Sequence, residues 1–288
     1  MCVLLVLVPF LSILALNLPF RELNKRLAGG VAAILFLLQM GLVFIPDAYF
    51  WRVSQFLTAD ILSKVVLFCI GLVSLTALFV SRSLIKEPDD RFNFINIILL
   101  AVAGMNGIAL ARDIFSLYVF LEITAVSSFI LIAFEKDILG LEGSFKYIVL
   151  SAVATVLMIA GIAIFMLIAG STNFSVIHSA LLNQNRNLLL SLAIGLFLSA
   201  LFIKAGLMPF HGWLPDAYTC APAPVSVFLA GIVTKVAGVY CLIRIVLSVI
   251  GFNDQLKGIL LLVGAFSAIF GAFSALTQSD FKRMLSYS

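Results

Sequence analysis

The chain has 288 residues, of which 63% are hydrophobic and only 11% carry a charge. A soluble globular domain is about one quarter charged, so this composition excludes an ordinary water-soluble protein. The net charge of +4 comes from basic residues spread along the whole sequence, which argues against nucleic acid as a partner. Apolar runs of about 20 residues, the length that a helix needs to cross a bilayer, recur throughout. We therefore predict an all-α integral membrane protein.

About nine transmembrane helices are predicted from the apolar runs, which end at charged residues, proline or glycine. The first run has no basic residue ahead of it and no small-residue cleavage site, which favours a retained helix over a cleaved signal peptide. No polar linker divides the runs, so residues 1–288 are predicted to form a single membrane domain. The predicted spans are residues 3–18, 29–45, 58–80, 92–111, 114–134, 144–169, 188–208, 225–250 and 258–277.

Basic residues are unevenly divided between the two sets of predicted loops. The loops after odd-numbered spans contain ten, namely Arg21, Lys25, Arg26, Arg82, Lys86, Arg91, Lys136, Lys146, Lys282 and Arg283. The loops after even-numbered spans contain five, namely Arg52, Arg112, Arg186, Arg244 and Lys257. The positive-inside rule then places the odd loops in the cytoplasm and the N-terminus outside.

Three ionisable side chains, Glu122, Lys204 and Lys235, fall in the interior of predicted spans. A charge at the centre of a membrane helix costs at least about 2.5–3.5 kcal/mol, and such residues usually mark ion pathways. Lys235 lies at least ten residues from either end of its span. Gly231 and Gly238 share its face and leave room for water or a neighbouring helix. A structural lysine bonded to backbone carbonyls is the alternative.

Lys204 lies just before a proline-rich stretch that contains Pro209, Pro215, Pro222 and Pro224, four of the eight prolines in the chain. Proline lacks an N–H and clashes with the carbonyl four residues earlier, so we predict a helix break after Lys204, with Pro209 and Pro215 as its causes. Broken helices are where transporters place ion sites. The alternative is an external loop with Lys204 as an interfacial anchor.

Glu122 lies eight residues into its predicted span and needs a cationic partner. The basic residues in helix interiors are Lys64, Lys204 and Lys235. Lys64 is expected to pair with Asp60, four residues before it. This leaves Glu122 and Lys204 as the predicted pair.

Several other polar residues allow more than one interpretation. His211 follows the predicted break and could relay a proton, because its ordinary pKa is near neutrality, but a backbone-capping role is equally open. His178 is expected to be solvated, and Asp216 to cap the helix after Pro215. The step from Arg112 to Asp113 is interpreted as a tight turn at the membrane interface.

No motif for nucleotide, flavin, NAD or iron–sulfur binding is present, and no metal site or cofactor is predicted. The four cysteines lack metal-ligand spacing and are interpreted as small apolar residues of the helix interior. They are Cys2, Cys69, Cys220 and Cys241.

The proline-rich stretch consists of a lysine followed by PFHGWLPDAY and then APAPVS. With this motif the chain closely resembles the antiporter-like subunits shared by respiratory complex I (NADH-quinone oxidoreductase), membrane-bound hydrogenases and Mrp-type cation/proton antiporters. The sequences FLEI around Glu122, GIVTKVAGVY around Lys235 and SDFKRMLSYS at the end add to the resemblance, which extends over essentially the whole chain.

The resemblance implies three leading helices in residues 1–91, a five-helix half-channel unit in residues 92–257, and the first helix of a truncated second unit in residues 258–288. It also implies roles for the intramembrane charges: Glu122 as the pairing carboxylate, Lys204 as the gating proton carrier on the broken helix, and Lys235 as the lysine connecting to the second unit.

The implied function is translocation of an ion, most readily the proton, in a redox-driven complex whose redox centres lie in other subunits. The implied partners are other membrane subunits, the lipid bilayer and H⁺ or Na⁺, in a prokaryotic plasma membrane or an equivalent energy-transducing membrane. A subunit of an Mrp-type Na⁺/H⁺ antiporter and a transport-dead scaffold are the alternatives.

Overall fold

The computed structural model describes residues 2–18, 21–45, 57–183 and 188–288. Arg52 and Arg186, which entered the loop comparison, lie outside these ranges. The helices are α1 (Cys2–Leu16), α2 (Arg21–Gly41), α3 (Ile61–Leu84), α4 (Pro88–Leu110), α5 (Ile114–Ile132), α6 (Ile138–Ala169), α7 (Phe174–Asn183), α8 (Leu188–Ala205), α9 (Trp213–Cys220), α10 (Ala223–Ile250), α11 (Asp254–Leu276) and α12 (Phe281–Tyr287).

The all-α membrane fold predicted from the sequence is confirmed. Among the described residues, eight helical stretches are long and apolar enough to cross a membrane, and α1 is a shorter apolar helix of 15 residues. Each of the nine predicted spans overlaps one of these helices. The short helix α7 was not predicted, since its ten residues are too few for a span. The chain is a multi-pass membrane protein.

Acidic or amide side chains fix where many of the helices begin. The carboxylates of Asp60, Asp113 and Asp137 accept the backbone N–H three residues on, at the starts of α3, α5 and α6. Each satisfies an N–H that the helix itself leaves without a carbonyl partner. The predicted tight turn at Arg112 and Asp113 is present, because α4 ends at Leu110 and α5 starts at Ile114.

A buried pair of side-chain amides joins the four N-terminal helices. Gln39 of α2 and Asn106 of α4 exchange two hydrogen bonds of 2.9 Å. Gln39 also donates to the carbonyl of Leu67 in α3, and Asn106 to that of Leu5 in α1. Apolar packing alone gives little preference for protein over lipid, so such polar contacts help to fix which helices associate.

Helices α4 and α11 differ sharply in burial. Nearly all of α4 from Phe92 to Leu110 is buried, and Gly104 and Gly107 bring its backbone against α5. In α11, by contrast, Leu256 is the one buried residue. The core therefore centres on α4, and α11 lies at its edge.

Helix α10 departs from regular α-helical geometry. Its segments Leu229–Val233, Lys235–Tyr240 and Val246–Ile250 are π-helical. Short π-helical stretches inside α-helices often occur at functional sites, because the wider turn frees backbone groups and turns side chains to a new face. One of these segments begins at Lys235.

Candidate functional site

Glu122 and Lys204 are brought together between α5, α6 and α8. The ammonium of Lys204 donates to Glu122 Oε1 at 3.0 Å and to Ser151 Oγ at 3.3 Å. The Lys204 side chain is only 4% exposed, whereas that of Glu122 is 28% exposed. The lysine is thus buried against a carboxylate that retains access to its surroundings.

Helix α6 supplies two hydroxyl groups to this pair. Thr155 Oγ1 donates to Glu122 Oε1 at 2.7 Å, and Ser151, one helical turn away, accepts from Lys204. Both bonds to Glu122 therefore end on one oxygen, and its Oε2 has no hydrogen-bond partner among the described residues. The sequence reasoning missed these two residues, although their i,i+4 spacing in an apolar run places them on one face.

The helix break follows Lys204 directly. Helix α8 ends at Ala205, and Gly206 takes a left-handed conformation with φ of 66°. The amide of Leu207 donates to the carbonyl of Phe202 at 3.0 Å, and the indole of Trp213 to that of Ile203 at 3.1 Å. The backbone groups freed by the break are thereby satisfied inside the protein. Lys204 lies in the last turn of α8, where the helix dipole favours a cation.

The two prolines predicted to break the helix have different positions. Pro209 lies inside the irregular segment between α8 and α9, as expected. Pro215 does not: it is the third residue of α9, which starts at Trp213. A proline is tolerated in the first turn of a helix because its missing N–H would have no helical partner there. Pro215 thus lies just after the break and not within it, and its part in breaking the helix stays a prediction.

An aromatic stack supports the broken segment from the side of the ion pair. Trp213 of α9 stacks on Tyr147 of α6 with ring centroids 4.2 Å apart and an angle of 7°. Phe129 of α5 packs edge-on against Tyr147, with ring centroids 4.8 Å apart. The helices that carry Glu122 and Ser151 are thereby tied to the chain that follows Lys204.

Lys235 has a more open environment than its mid-span position suggested. Its side chain is exposed and lines a cavity of about 270 Å³ beside the break, together with His211, Thr234 and Ser267. Lys235 has no ion-pair or hydrogen-bond partner among the described residues. Helix α10 turns this side chain towards the cavity.

The glycines near Lys235 serve helix packing. A Cβ at Gly238 would lie 2.3 Å from Cα of Ala205, and one at Gly231 would lie 2.7 Å from Val73 Cγ1. Of the two predicted uses of this space, water or a neighbouring helix, the structure shows the neighbouring helix. Gly238 thus holds the helix of Lys235 against the end of the helix of Lys204.

His211 lines the same cavity as Lys235. Its Nδ1 is buried without a hydrogen-bond partner among the described residues. Its ring lies 6.2 Å from that of Tyr287 in α12. The described part of the chain shows no backbone-capping hydrogen bond from this nitrogen, and the proton-relay role of His211 stays a prediction.

The family profile described as "NADH:quinone oxidoreductase/Mrp antiporter, TM" matches residues 111–288, more than half of the chain. The chain belongs to this family. The matched region starts just before α5 and includes Glu122, Lys204 and Lys235, while α1 to α4 precede it. The resemblance inferred from the proline-rich motif is confirmed.

Relatives from two kinds of complex share the family. One relative is NADH-quinone oxidoreductase subunit N of Parvibaculum lavamentivorans. It is 31% identical to this chain over 262 residues, which are 90% of this chain and 54% of that protein. A Na⁺/H⁺ antiporter subunit of Alkalihalophilus pseudofirmus is 30% identical over 232 residues, which are 80% of this chain and 47% of that protein. The chain therefore spans about half the length of the curated relatives it matches.

Solved structures of multi-subunit membrane complexes contain the same fold. A chain of the membrane-bound sulfane sulfur reductase, an archaeal respiratory membrane complex, matches with a TM-score of 0.86 and 26% identity, covering 99% of this chain and 61% of that one. A chain of respiratory complex I from Thermus thermophilus matches with a TM-score of 0.83 and 26% identity, covering 100% and 61%.

The structure contains a second, partly buried network of ion pairs, which the sequence reasoning missed. Arg244 of α10 donates two hydrogen bonds to the carboxylate of Asp60, at 2.6 and 2.9 Å. It also donates to Ser63 Oγ at 2.9 Å and to Tyr240 Oη at 2.6 Å. Arg112 adds a contact of 3.1 Å to Asp60. The network ties α10 to the start of α3 and to the link between α4 and α5.

This network corrects two sequence interpretations. The loop comparison treats Arg244 as a loop residue, but it lies in α10 with a side chain only 7% exposed. The expected partner of Asp60 is Lys64, which instead donates to the carbonyl of Ile45 at 3.0 Å. Burial raises the pKa of the Asp60 carboxyl, but hydrogen bonds from Arg244 and Ser63 outweigh burial and hold that pKa well below its ordinary value.

A third cluster holds the C-terminal helix α12 against α9. Asp216 forms ion pairs with Lys146 at 2.7 Å and with Arg283 at 3.0 Å. Lys282 donates to the carbonyl oxygens of Thr219 and Ala221 at the end of α9. The prediction that Asp216 caps a helix is wrong, because α9 begins three residues earlier and leaves this carboxylate free to reach two cations.

The prediction for His178 is also wrong. Its Nδ1 lies 3.0 Å from the carbonyl oxygen of Val249, at the end of α10. The sequence showed only a polar segment, and the helix α7 that positions this ring was not predicted.

Proposed function

We propose that this chain carries the proton-translocating half-channel of an antiporter-like subunit in a redox-driven membrane complex. The observation that carries the proposal is the ion pair between Glu122 and Lys204 beside the helix break. A buried lysine at the end of a broken membrane helix, held by one carboxylate oxygen and one hydroxyl group, is suited to binding and releasing a proton.

The proposed mechanism is electrostatic gating of Lys204 by Glu122. While the carboxylate is close, it stabilises the ammonium form of the lysine. When a neighbouring event draws the carboxylate charge away, burial disfavours the unpaired ammonium, and its proton leaves. Glu122 suits this role because its Oε2 has no partner in the described part of the chain and its side chain is partly exposed.

Protons leaving Lys204 are proposed to enter the cavity that Lys235 and His211 line. The ammonium of Lys235 and the Nδ1 atom of His211 have no hydrogen-bond partner among the described residues, and both side chains line the same cavity. Moving one charge against about 200 mV costs roughly 4.6 kcal/mol. Loss of a buried ion pair supplies a free-energy change of that order.

Proton uptake by proteoliposomes that contain the full-length protein with its partner subunits tests this proposal. Lys204→Ala and Glu122→Gln are each expected to lower the rate at least tenfold, with Lys257→Ala, an exposed lysine at the start of α11, as the matched control. Pumping that survives Lys204→Ala at the normal rate would refute the proposed mechanism.

Secondary cation/proton antiport is a second candidate, favoured by the 30% identity to a Na⁺/H⁺ antiporter subunit. The same residues would then work without electron transfer. Sodium uptake driven by an imposed proton gradient, with no electron donor present, would identify this function. Normal pumping after simultaneous neutralisation of Glu122 and Lys235 would instead identify a transport-dead scaffold.

The organisation and orientation of the chain are part of the same proposal. We place the leading helices in residues 1–91, the half-channel unit in residues 92–257 and the start of a second unit in residues 258–288. We also place the N-terminus on the outer side of a prokaryotic plasma membrane, because the loops after odd spans are richer in basic residues. Impermeant thiol labelling of single cysteines, introduced at Lys86 and Lys257, tests this orientation, since only the second is expected to react from outside.

A further inference from the structure

A second cavity lies away from the ion pair, where α2 begins, α3 ends and α4 begins. Its volume is about 590 Å³. Four of its lining residues are cations, namely Lys25, Arg26, Arg82 and Arg91, and its described lining contains no carboxylate. The cavity is therefore a concentrated positive site at one end of the helical bundle.

Two of the four cations are available to a ligand. Lys25 is paired with Asp89 at 2.6 Å, and Arg91 donates to the carbonyl of Ile85 at 2.8 Å. Arg26 and Arg82 are exposed and have no ion-pair partner among the described residues. Their guanidinium groups can donate paired hydrogen bonds to phosphate oxygens.

Next to the cations, the lining of the cavity is mainly apolar. A Cβ at Gly30 would meet no atom within 4 Å, so the surface of α2 is recessed there. Phe79 of α3, on the opposite wall, is 62% exposed, and Ile95 of α4 completes the lining. Cations at the ends of membrane-spanning helices, next to an apolar recess, match the two ends of a phospholipid.

We propose that this cavity binds an anionic phospholipid of the surrounding bilayer, with its phosphate between Arg26 and Arg82 and the upper part of an acyl chain beside Gly30 and Phe79. Basic pockets between membrane helices are suited to such headgroups. A free phosphate would use the cations but not the apolar recess. An apolar helix of a partner protein would leave the two guanidinium groups without anions.

Lipid titration of the full-length protein, followed by native mass spectrometry, tests the proposal. The probes are phosphatidylglycerol and phosphatidylcholine with the same acyl chains, and inorganic phosphate serves as a competitor. The double variant Arg26→Gln/Arg82→Gln is expected to lower the phosphatidylglycerol affinity about 30-fold, since each cation near the surface contributes about fivefold. Lys136→Gln/Lys257→Gln, which removes two exposed cations elsewhere, is expected to leave it unchanged.

Two further measurements separate the lipid from other occupants. Gly30→Leu fills the recess and keeps every charge, so it is expected to weaken phosphatidylglycerol binding; unchanged affinity would overturn the acyl-chain part of the site. Complete displacement of the lipid by millimolar phosphate would show an anion site instead. A photoreactive residue in place of Phe79 is expected to crosslink to lipid in membranes, and a crosslink to a protein would overturn the proposal.

Discussion

Two ion pairs in this molecule, each with a buried cation and a partly exposed carboxylate, show how differently a membrane protein uses opposite charges. Lys204 contacts one oxygen of Glu122 at 3.0 Å, and neutral hydroxyl groups complete its surroundings. Arg244 contacts both oxygens of Asp60, and Ser63, Tyr240 and Arg112 complete that network. The first pair can lose its only ionic contact by a small shift of one side chain. The second must break several hydrogen bonds at once.

Lysine and arginine also differ in their ability to release a proton. A lysine ammonium can release its proton when its environment changes, whereas a guanidinium stays charged under all ordinary conditions. The arginine network is therefore suited to holding α10 in place, and the lysine pair to changing its protonation state. Tyr240, which accepts a hydrogen bond from Arg244, ends the π-helical segment that begins at Lys235. The arginine network therefore anchors α10, the helix that packs against the end of the helix of Lys204.

Arg244→Met is expected to give the largest loss of stability, because it leaves Asp60 and Tyr240 without their main partner. Removing one member of a buried pair costs about 3–5 kcal/mol, and we expect the lower end because the Asp60 side chain is 44% exposed. Thermal unfolding in detergent measures this. The double variant Arg244→Met/Asp60→Asn should recover part of the loss, and no recovery would argue against the pairing.

Lys204→Arg separates the two uses of charge at the proposed translocation site. The variant keeps a cation beside Glu122 and is expected to unfold within about 1 kcal/mol of the wild type, since a paired charge is preserved. A guanidinium does not release its proton, so proton uptake by proteoliposomes should fall at least tenfold. Normal uptake by this variant would mean that the pair is structural, like that of Arg244.

Much of the fold and part of the site were predictable from the sequence, because membrane spans and intramembrane charges leave strong local signals. The break near Pro209 followed from proline chemistry, and the partnership of Glu122 with Lys204 followed from the small number of basic residues in helix interiors. Arg244 was missed although it lies six residues inside a predicted span, a position that should have marked it as buried and paired. Its partner Asp60 is 184 residues earlier, and no local pattern predicts such a contact.

The stability that the arginine network contributes is expected to depend on pH through Asp60. Its pKa in the folded protein lies below its ordinary value, so ionised Asp60 contributes stability above about pH 4, the unfolded pKa of an aspartate. This contribution is lost progressively as the pH falls from there towards the lower folded pKa. Asp60→Asn should remove it, making the unfolding temperature lower at pH 6 and less dependent on pH below 4. An unchanged acid dependence would assign the effect to other carboxylates.

Ser151→Ala should have the smallest effect and tests how tightly the lysine pair is held. The hydroxyl accepts from Lys204 at 3.3 Å, a long hydrogen bond, and Glu122 remains in place as the main partner. We expect a loss of stability of about 1 kcal/mol or less and at most a threefold change in proton uptake. Thr155→Val, which removes the 2.7 Å bond to Glu122, is the matched comparison and should perturb uptake more. Equal and large losses in both variants would mean that the hydroxyl groups form a rigid network like that around Arg244, and the proposed movement of Glu122 would then lack the freedom it requires.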